Sequence, residues 1–91
     1  MKVRNMMSSS GNSVPNQFVI TDTKGNRYFQ SYQSMIVYIC IDPNVKTCLD
    51  ENKWDYSVTT GKYRNQFLGE TKKETQAKID SGEYVLTDLN S

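Results

Sequence analysis

The spacing of apolar residues changes from strand-like to helix-like within residues 54–71, which read WDYSVTTGKYRNQFLGET. Tyr63 and Phe67 are four residues apart, and this spacing places them on one face of a helix. One of the two threonines at positions 59 and 60 can cap the start of that helix, and Gly69 is a typical helix terminator. The stretch therefore predicts a capped amphipathic helix, with Lys62 and Arg64 outside the core.

A second helix is predicted directly after the first. Thr71 and Glu74 have the spacing of a capping box, in which each side chain accepts a hydrogen bond from the backbone N–H of the other residue. The helix should extend to about Ser81, with Gly82 as its stop. Its few aliphatic residues indicate a surface helix, and residues 84–88 (YVLTD) then read as a short last strand.

The residues before the first helix have the pattern of antiparallel strands. Asp and Gly at residues 22–25 are typical of a hairpin turn, and Asp42-Pro43-Asn44 is typical of a second turn. Four strands are predicted around these turns, at residues 18–21, 27–32, 34–41 and 45–50. The sequence thus predicts an α+β fold: an antiparallel meander of about four strands, two helices and a short fifth strand.

The first 16 residues read as a flexible arm, because SSSGNS is small and polar and Pro15 precedes the first apolar run. As an alternative, Val3, Met6 and Met7 could dock the arm onto something. Residues 17–91 are predicted to form one small domain, which is what a chain of 91 residues can support.

The charge of the chain is nearly balanced but unevenly distributed. The net charge of +1 excludes a strongly basic protein that coats nucleic acid through its overall charge. Residues 1–27 nevertheless carry four basic side chains against one acidic, and residues 62–79 carry five against two. No apolar run approaches the roughly 20 residues that span a bilayer. We therefore expect no membrane contact and two mildly basic segments that one face of the fold could combine.

The sequence has no histidine and no phosphate-binding glycine motif. These absences remove the usual general base and most nucleophile pairs and zinc sites. Asp50, Glu51 and Asp55 could hold Mg²⁺ through carboxylate oxygens, although acidic residues are also common between a strand and a helix. We expect a protein that is not an enzyme and that has no cofactor and no bound metal ion.

The two cysteines fall on neighbouring predicted strands. If residue 39 pairs with 49 and residue 41 with 47, Cys40 lies opposite Cys48, slightly too far for a relaxed disulfide. The alternative is a pair of half-buried thiols, as is usual in a reducing cytoplasm. No secretory signal is evident at the N-terminus.

The segments NQFVITD, YFQSY, WDYSVTTGKYRNQFLGET and SGEYVLTDLN resemble an uncharacterised family of small tailed-phage proteins, including ones from gut phages. The resemblance covers about residues 16–90. It implies a viral origin, with the host cytoplasm or the virion as the location, and it implies no particular activity.

The first functional hypothesis is an accessory protein that binds nucleic-acid backbone weakly and without sequence preference. Hydroxyl and basic side chains at the helix start and in the arm would contact phosphates, while Tyr28, Tyr32 or Trp54 could stack on bases. The hydroxyls are equally explained as helix caps. The candidate residues are Lys2, Arg4, Ser57, Thr59, Thr60, Lys62, Arg64, Lys72 and Lys73.

The second hypothesis is a protein-interaction module, either a virion component or an inhibitor of a host protein. Such a module would use an aromatic patch and an exposed strand edge. The sequence leaves the choice between the two hypotheses open, together with the identity of the partner and the oligomeric state.

Overall fold

A single mixed sheet carries both helices in the computed structural model, which describes residues 1–90. Five strands pair in sequence order as an antiparallel meander, and the sixth lies parallel to the fifth. The predicted α+β class, with a meander, two helices and a short final strand, is confirmed. The elements are β1 (Lys2–Met7), β2 (Ser13–Thr21), β3 (Arg27–Ser31), β4 (Ser34–Ile39), β5 (Cys48–Asp50), α1 (Val58–Leu68), α2 (Lys72–Asp80) and β6 (Val85–Thr87).

The two faces of the sheet have different environments. Side chains alternate between faces along each strand, so residues paired across neighbouring strands share a face. One row on the helix-side face is Arg4, Val19, Phe29, Val37, Leu49 and Leu86. Phe29, Val37 and Leu49 of this row are fully buried in the core that Tyr63 and Phe67 of α1 complete. We call the opposite side of the sheet the open face.

The prediction of a flexible arm over residues 1–16 is wrong. Residues 2–7 form β1, which pairs with β2 and buries the side chain of Met6 in the core. The SSSGN segment is a hairpin connection, closed by a 2.8 Å hydrogen bond from the Ser8 N–H to the Asn12 carbonyl. Gly11 takes a positive φ of 83° there, which glycine adopts without strain. Because β2 begins at Ser13, the boundary predicted after residue 16 falls inside a strand.

The predicted helix ends are largely confirmed. Gly69 ends α1 with φ 71°, and the Thr71–Glu74 capping box at the start of α2 is present in both directions, at 3.2 and 3.0 Å. The N-cap of α1 is Ser57, which precedes both predicted candidates, Thr59 and Thr60, and its hydroxyl accepts from the Thr60 N–H. Neither helix within residues 1–90 has the length and apolar character to cross a membrane.

The predicted register around the two cysteines is wrong. Val37 lies opposite Leu49, so Tyr38 and not Cys40 faces Cys48. The register follows the core, because Val37 and Leu49 are both fully buried whereas Ile39 is only half-buried. Both thiols are free, and burial raises the pKa of the Cys48 thiol.

Candidate nucleic-acid interface

Arg64, predicted to lie outside the core, is fully buried, and that prediction is wrong. Its Nη1 donates to the carbonyl oxygen of Trp54 at 2.6 Å and to Oδ1 of Asp55 at 3.1 Å, and its Nη2 donates to Oδ1 of Asn65 at 2.9 Å. The guanidinium also lies over the indole ring of Trp54. A cation with this many internal partners is tolerated inside a protein, and it has little capacity left for a phosphate.

Asp55 joins Arg64 to Lys72 of α2. Its Oδ2 lies 2.7 Å from Nζ of Lys72, and its side chain is 28% exposed. Burial alone would raise the pKa of this carboxyl, but hydrogen bonds from Lys72 and Arg64 outweigh burial and lower the pKa. Asp55 is therefore ionised at neutral pH and compensates part of the positive charge around the start of α1.

Asp50, Glu51 and Asp55, considered above as possible Mg²⁺ ligands, have separate roles. Asp50 is buried, and its carboxylate accepts hydrogen bonds from the backbone N–H groups of Asn52 and Leu89. Asp55 makes the ion pairs described above, and Glu51 is exposed. Within residues 1–90, no three acidic or cysteine side chains are grouped as a metal site requires.

The hydroxyl groups at the start of α1 are mostly engaged. Ser57 caps the helix, and the Thr60 hydroxyl lies 2.8 Å from that of Ser31 in the core. Thr59 and Lys62 are exposed. Lys62 and Lys72 line one open cleft of about 680 Å³ together with Asp55. Of the anion site predicted at this helix start, the structure leaves the exposed Lys62 and Lys72 beside the carboxylate of Asp55.

A second group of basic side chains lies on the sheet. Lys2, Thr21 and Arg27 form one cross-strand row, and Arg4 lies two residues along β1 on the same helix-side face. Arg4 and Arg27 line a cleft of about 190 Å³ between the sheet and α1, and no lining residue is acidic. The Cζ of Arg27 lies 4.9 Å from the ring centroid of Phe67, so the guanidinium packs over the face of that ring.

Arg27 was missed as a site residue because β1, which places Lys2 and Arg4 beside it, was predicted as an arm. Lys2 and Arg4 are two residues apart, so recognising a strand at residues 2–7 would have placed them on one face. The pairing of that strand with β2, and so the approach of Lys2 to Arg27, has no local signal in the sequence.

The cleft at Arg4 continues toward α1. Nε2 of Gln66 donates to the carbonyl oxygen of Met7 at 2.9 Å, which fixes α1 beside β1. Lys62 lies four residues before Gln66 and therefore on the same side of the helix. Lys73 lines neither of the two clefts. The fold thus groups Lys2, Arg4 and Arg27 on the sheet, while Lys62 and Lys72 line the cleft at the start of α1 and Lys73 lines neither cleft.

The chain matches the family of unknown function DUF8033 over residues 1–83. It belongs to this family. The matched residues extend from β1 through α2, so all the basic residues described above lie within the DUF8033 region. No curated protein and no solved structure matches the chain. Membership in DUF8033 assigns no activity, and the phage resemblance stays a prediction.

The aromatic residues predicted to stack on bases are separated from this basic group. Tyr28 is on the open face, since it pairs with Ile20 and Tyr38 in the row next to that of Arg4. Trp54 lies under the guanidinium of Arg64. Tyr32 is exposed in the turn between β3 and β4, with a positive φ of 56°. The cleft at Arg4 and Arg27 therefore offers contacts to phosphates and lacks a stacking platform.

Proposed function

We propose that this DUF8033 chain is a non-enzymatic accessory protein that binds nucleic-acid backbone weakly and without sequence preference. The observation that carries the proposal is a cleft lined by both Arg4 and Arg27 and by no acidic residue. The resemblance to small tailed-phage proteins makes the host cytoplasm or the virion the proposed setting.

The chemistry of the two arginines favours phosphate as the ligand. A guanidinium presents a planar set of donors that matches two phosphate oxygens, and it stays charged at all physiological pH values. Arg27 lies against the ring of Phe67, so less side-chain freedom is lost when it binds. Contacts to phosphates alone carry no sequence information, so no sequence preference is expected.

Salt dependence provides the direct test. If Lys2, Arg4 and Arg27 each neutralise one phosphate, log K against log salt should have a slope of roughly −3 on duplex DNA. We would measure fluorescence anisotropy of labelled single- and double-stranded oligonucleotides at several salt concentrations. Replacing Arg4 and Arg27 together with Gln should reduce the slope by about 2.

The matched control removes two positive charges elsewhere. Lys46 and Lys53 lie in the loops on either side of β5 and line neither cleft described above. The Lys46→Gln/Lys53→Gln double variant should keep a slope close to that of the parent protein. Equal losses in both double variants would show that net charge alone is responsible, and an absence of parent binding at low salt would refute the proposal.

A protein-interaction function is the second proposal, and the open face supports it. Val3, Tyr28 and Tyr38 lie on this face, which neither helix covers with its core residues. A virion component or an inhibitor of a host protein would bind through such a surface. Capture of a phage or host protein that depends on Tyr38 and not on Arg4 would favour this function over backbone binding.

A further inference from the structure

The outer side of β1 has no strand beside it among residues 1–90. β1 is the first strand in the sheet order and pairs only with β2. Alternate N–H and C=O groups of an edge strand point away from the sheet, where another strand can pair with them. β1 has six residues, whereas β6 at the opposite edge has three. β1 is therefore the longer free edge of the sheet.

The regular part of this edge is the segment Lys2–Asn5. All four of its residues are exposed. The register with β2 shifts between Asn5 and Met7, and the carbonyl oxygen of Met7 accepts from Nε2 of Gln66 at 2.9 Å. A shift of this kind interrupts the ladder of hydrogen bonds. A strand from another chain could thus pair with Lys2–Asn5 before α1 closes the edge.

The side chains along this edge alternate in chemistry. Lys2 and Arg4 lie on the helix-side face, and Val3 between them lies on the open face with 59% of its surface exposed. Within residues 1–90, neither cation is part of an ion pair. An open cleft of about 470 Å³ along β1 is lined by these three residues with Val19 and Thr21, and none of the five is acidic.

We propose that the edge of β1 binds an extended acidic segment of another protein, which adds to the sheet as a seventh strand. Residues of this segment opposite Lys2 and Arg4 are carboxylates, and the residue between them, opposite Val3, is apolar. Opposite-charge pairs and apolar pairs across neighbouring strands both stabilise a sheet. The main chain supplies affinity, and the alternating pattern of acidic, apolar and acidic residues supplies specificity.

The charges of this edge disfavour a second copy of the same chain. Antiparallel pairing of two β1 strands would bring Lys2 and Arg4 of one copy close to the same cations of the other. Like charges on directly opposed strand residues are destabilising, and lysine is a common device against edge-to-edge pairing. The charge complementarity therefore favours an acidic partner.

The main chain of this edge favours a peptide over a nucleic acid. The outward groups of β1 alternate between donors and acceptors, whereas phosphate oxygens only accept hydrogen bonds. A second strand matches both kinds of group. A nucleic-acid backbone at this edge would leave the outward carbonyl groups of β1 without donors, so its contacts are with the side chains.

Strand addition goes beyond the proposed backbone binding, although the two share Lys2 and Arg4. Arg27 is on β3, three strand spacings from an added strand, which is roughly 14 Å. An acidic strand would therefore compete with nucleic acid without contacting Arg27. Only this competition rests on the proposed function, because strand addition itself needs no nucleic acid.

The test compares two labelled peptides on the full chain. In the first, glutamate and valine alternate (EVEVEV), and in the second the same residues are in two blocks (EEEVVV). Both have the same charge, but only the first places its carboxylates on one side of a strand. Fluorescence anisotropy should show that the alternating peptide binds roughly tenfold tighter or more.

Charge reversal assigns the binding to this edge. The Lys2→Glu/Arg4→Glu variant should lose the preference for EVEVEV and bind the alternating lysine peptide KVKVKV instead. The matched control is Lys46→Glu/Lys53→Glu, which reverses two charges in the loops beside β5 and should bind EVEVEV like the parent. If the β1 variant does not fold, Val3→Glu replaces it, because an exposed position tolerates the change. Its carboxylate should weaken EVEVEV binding roughly tenfold.

Amide hydrogen exchange distinguishes strand addition from attraction between charges. Saturation of the parent with EVEVEV should slow exchange at alternate residues of β1, because only the outward N–H groups gain acceptors. Arg27→Gln separates the two functions. It should keep this protection while reducing the salt-dependence slope of oligonucleotide binding by about 1.

Three results would overturn the proposal. The parent could fail to bind EVEVEV, or it could bind both glutamate peptides equally without protection of β1 amides, which would leave a contact between charges alone. Alternatively, an oligonucleotide could protect the β1 amides while the peptide does not, which would assign the edge to nucleic acid. None of these results excludes the salt-dependent binding attributed to Arg4 and Arg27.

Discussion

The guanidinium of Arg64 both donates to the carbonyl oxygen of Trp54, at 2.6 Å, and lies over its indole ring, with Cζ 5.1 Å from the ring centroid. A residue in the middle of α1 thereby holds the loop that precedes the helix. The same guanidinium pairs with Asp55, the next residue of that loop. Arg64 therefore has a structural role: it holds the segment between β5 and α1 against the helix.

Replacing Arg64 should destabilise the protein strongly. Arg64→Ala leaves the carbonyl of Trp54 and the carboxylate of Asp55 without their donor, and we expect the free energy of unfolding to fall by roughly 3 kcal/mol. Arg64→Lys should recover little, because a single ammonium cannot reach both acceptors and Asn65 at once. Urea unfolding measures both effects.

The neighbouring exposed cation provides the control for Arg64. Lys62→Ala should change the free energy of unfolding by no more than about 0.5 kcal/mol, as is usual for an exposed surface residue. If Arg64→Ala proves as mild as Lys62→Ala, the guanidinium must be solvent-accessible, and Arg64 would return to the set of phosphate contacts.

Features set by nearby residues could be predicted from the sequence, and features set by distant contacts could not. The Gly69 terminator and the Thr71–Glu74 capping box each need only the residues within one helical turn, and both are confirmed. β1 was missed because its stability comes from pairing with β2 and from burial of Met6, neither of which leaves a strong periodic signal.

The candidate site shows the same division. Lys2 and Arg4 were identified from charge alone, but their neighbour Arg27 became apparent only from the strand pairing through Thr21. Arg64 was predicted at the edge of the helix because a charged residue is seldom buried. Its burial depends on the Trp54 carbonyl and Asp55, ten and nine residues earlier, which the spacing of apolar residues does not reveal.

Removing a buried amide should stabilise the protein. Gln17 is fully buried opposite Ser31, and neither polar atom of its amide has a hydrogen-bond partner among residues 1–90. Methionine has a similar shape and no such requirement, so Gln17→Met should raise the free energy of unfolding by roughly 1 kcal/mol or more. Thermal and urea unfolding measure the change, and Gln17→Ala, which leaves a cavity, should destabilise. A destabilising Gln17→Met would indicate a buried water bound to the amide.

Phe67 is the aromatic anchor that fixes α1 to the sheet. Its ring lies 5.7 Å from that of Phe29 between centroids, and the side chain is buried in the core. Phe67→Ala should cost roughly 3–5 kcal/mol, a large part of the stability of so small a domain. Leu68→Ala, at a half-buried neighbouring position, should cost clearly less. A Phe67→Ala variant that melts within a few degrees of the parent would show that α1 does not depend on this contact.

Stability should fall on acidification through Glu70, whose side chain is only 5% exposed. Its carboxylate accepts from Thr75, from Nζ of Lys78 at 2.9 Å and from the Tyr84 hydroxyl at 2.8 Å. Burial alone would raise its pKa, but these donors outweigh burial and hold the pKa below the ordinary value of 4.5. The contribution of Glu70 is therefore complete above that value and is lost as pH falls through the lower folded-state pKa.

Tyr84, which donates a hydrogen bond to Glu70, should lower the stability of the protein at alkaline pH. Burial, together with the hydrogen bond to Glu70, raises the pKa of Tyr84 from 10.0 to about 12. The contribution of Tyr84 is thus complete below its unfolded-state pKa and is lost as pH rises toward the folded-state value.

Glu70→Gln should flatten the acid limb, since the titrating carboxyl is gone, and should move the titration of Tyr84 toward its ordinary value. Urea midpoints between neutral pH and about pH 3 measure the first effect, and tyrosine absorbance at alkaline pH measures the second. Glu83→Gln, at an exposed carboxylate 4.0 Å from Lys78, is the matched control and should change neither limb appreciably. An acid limb that stays unchanged in Glu70→Gln would assign the acid sensitivity to other carboxylates, such as Asp55, whose pKa is also lowered.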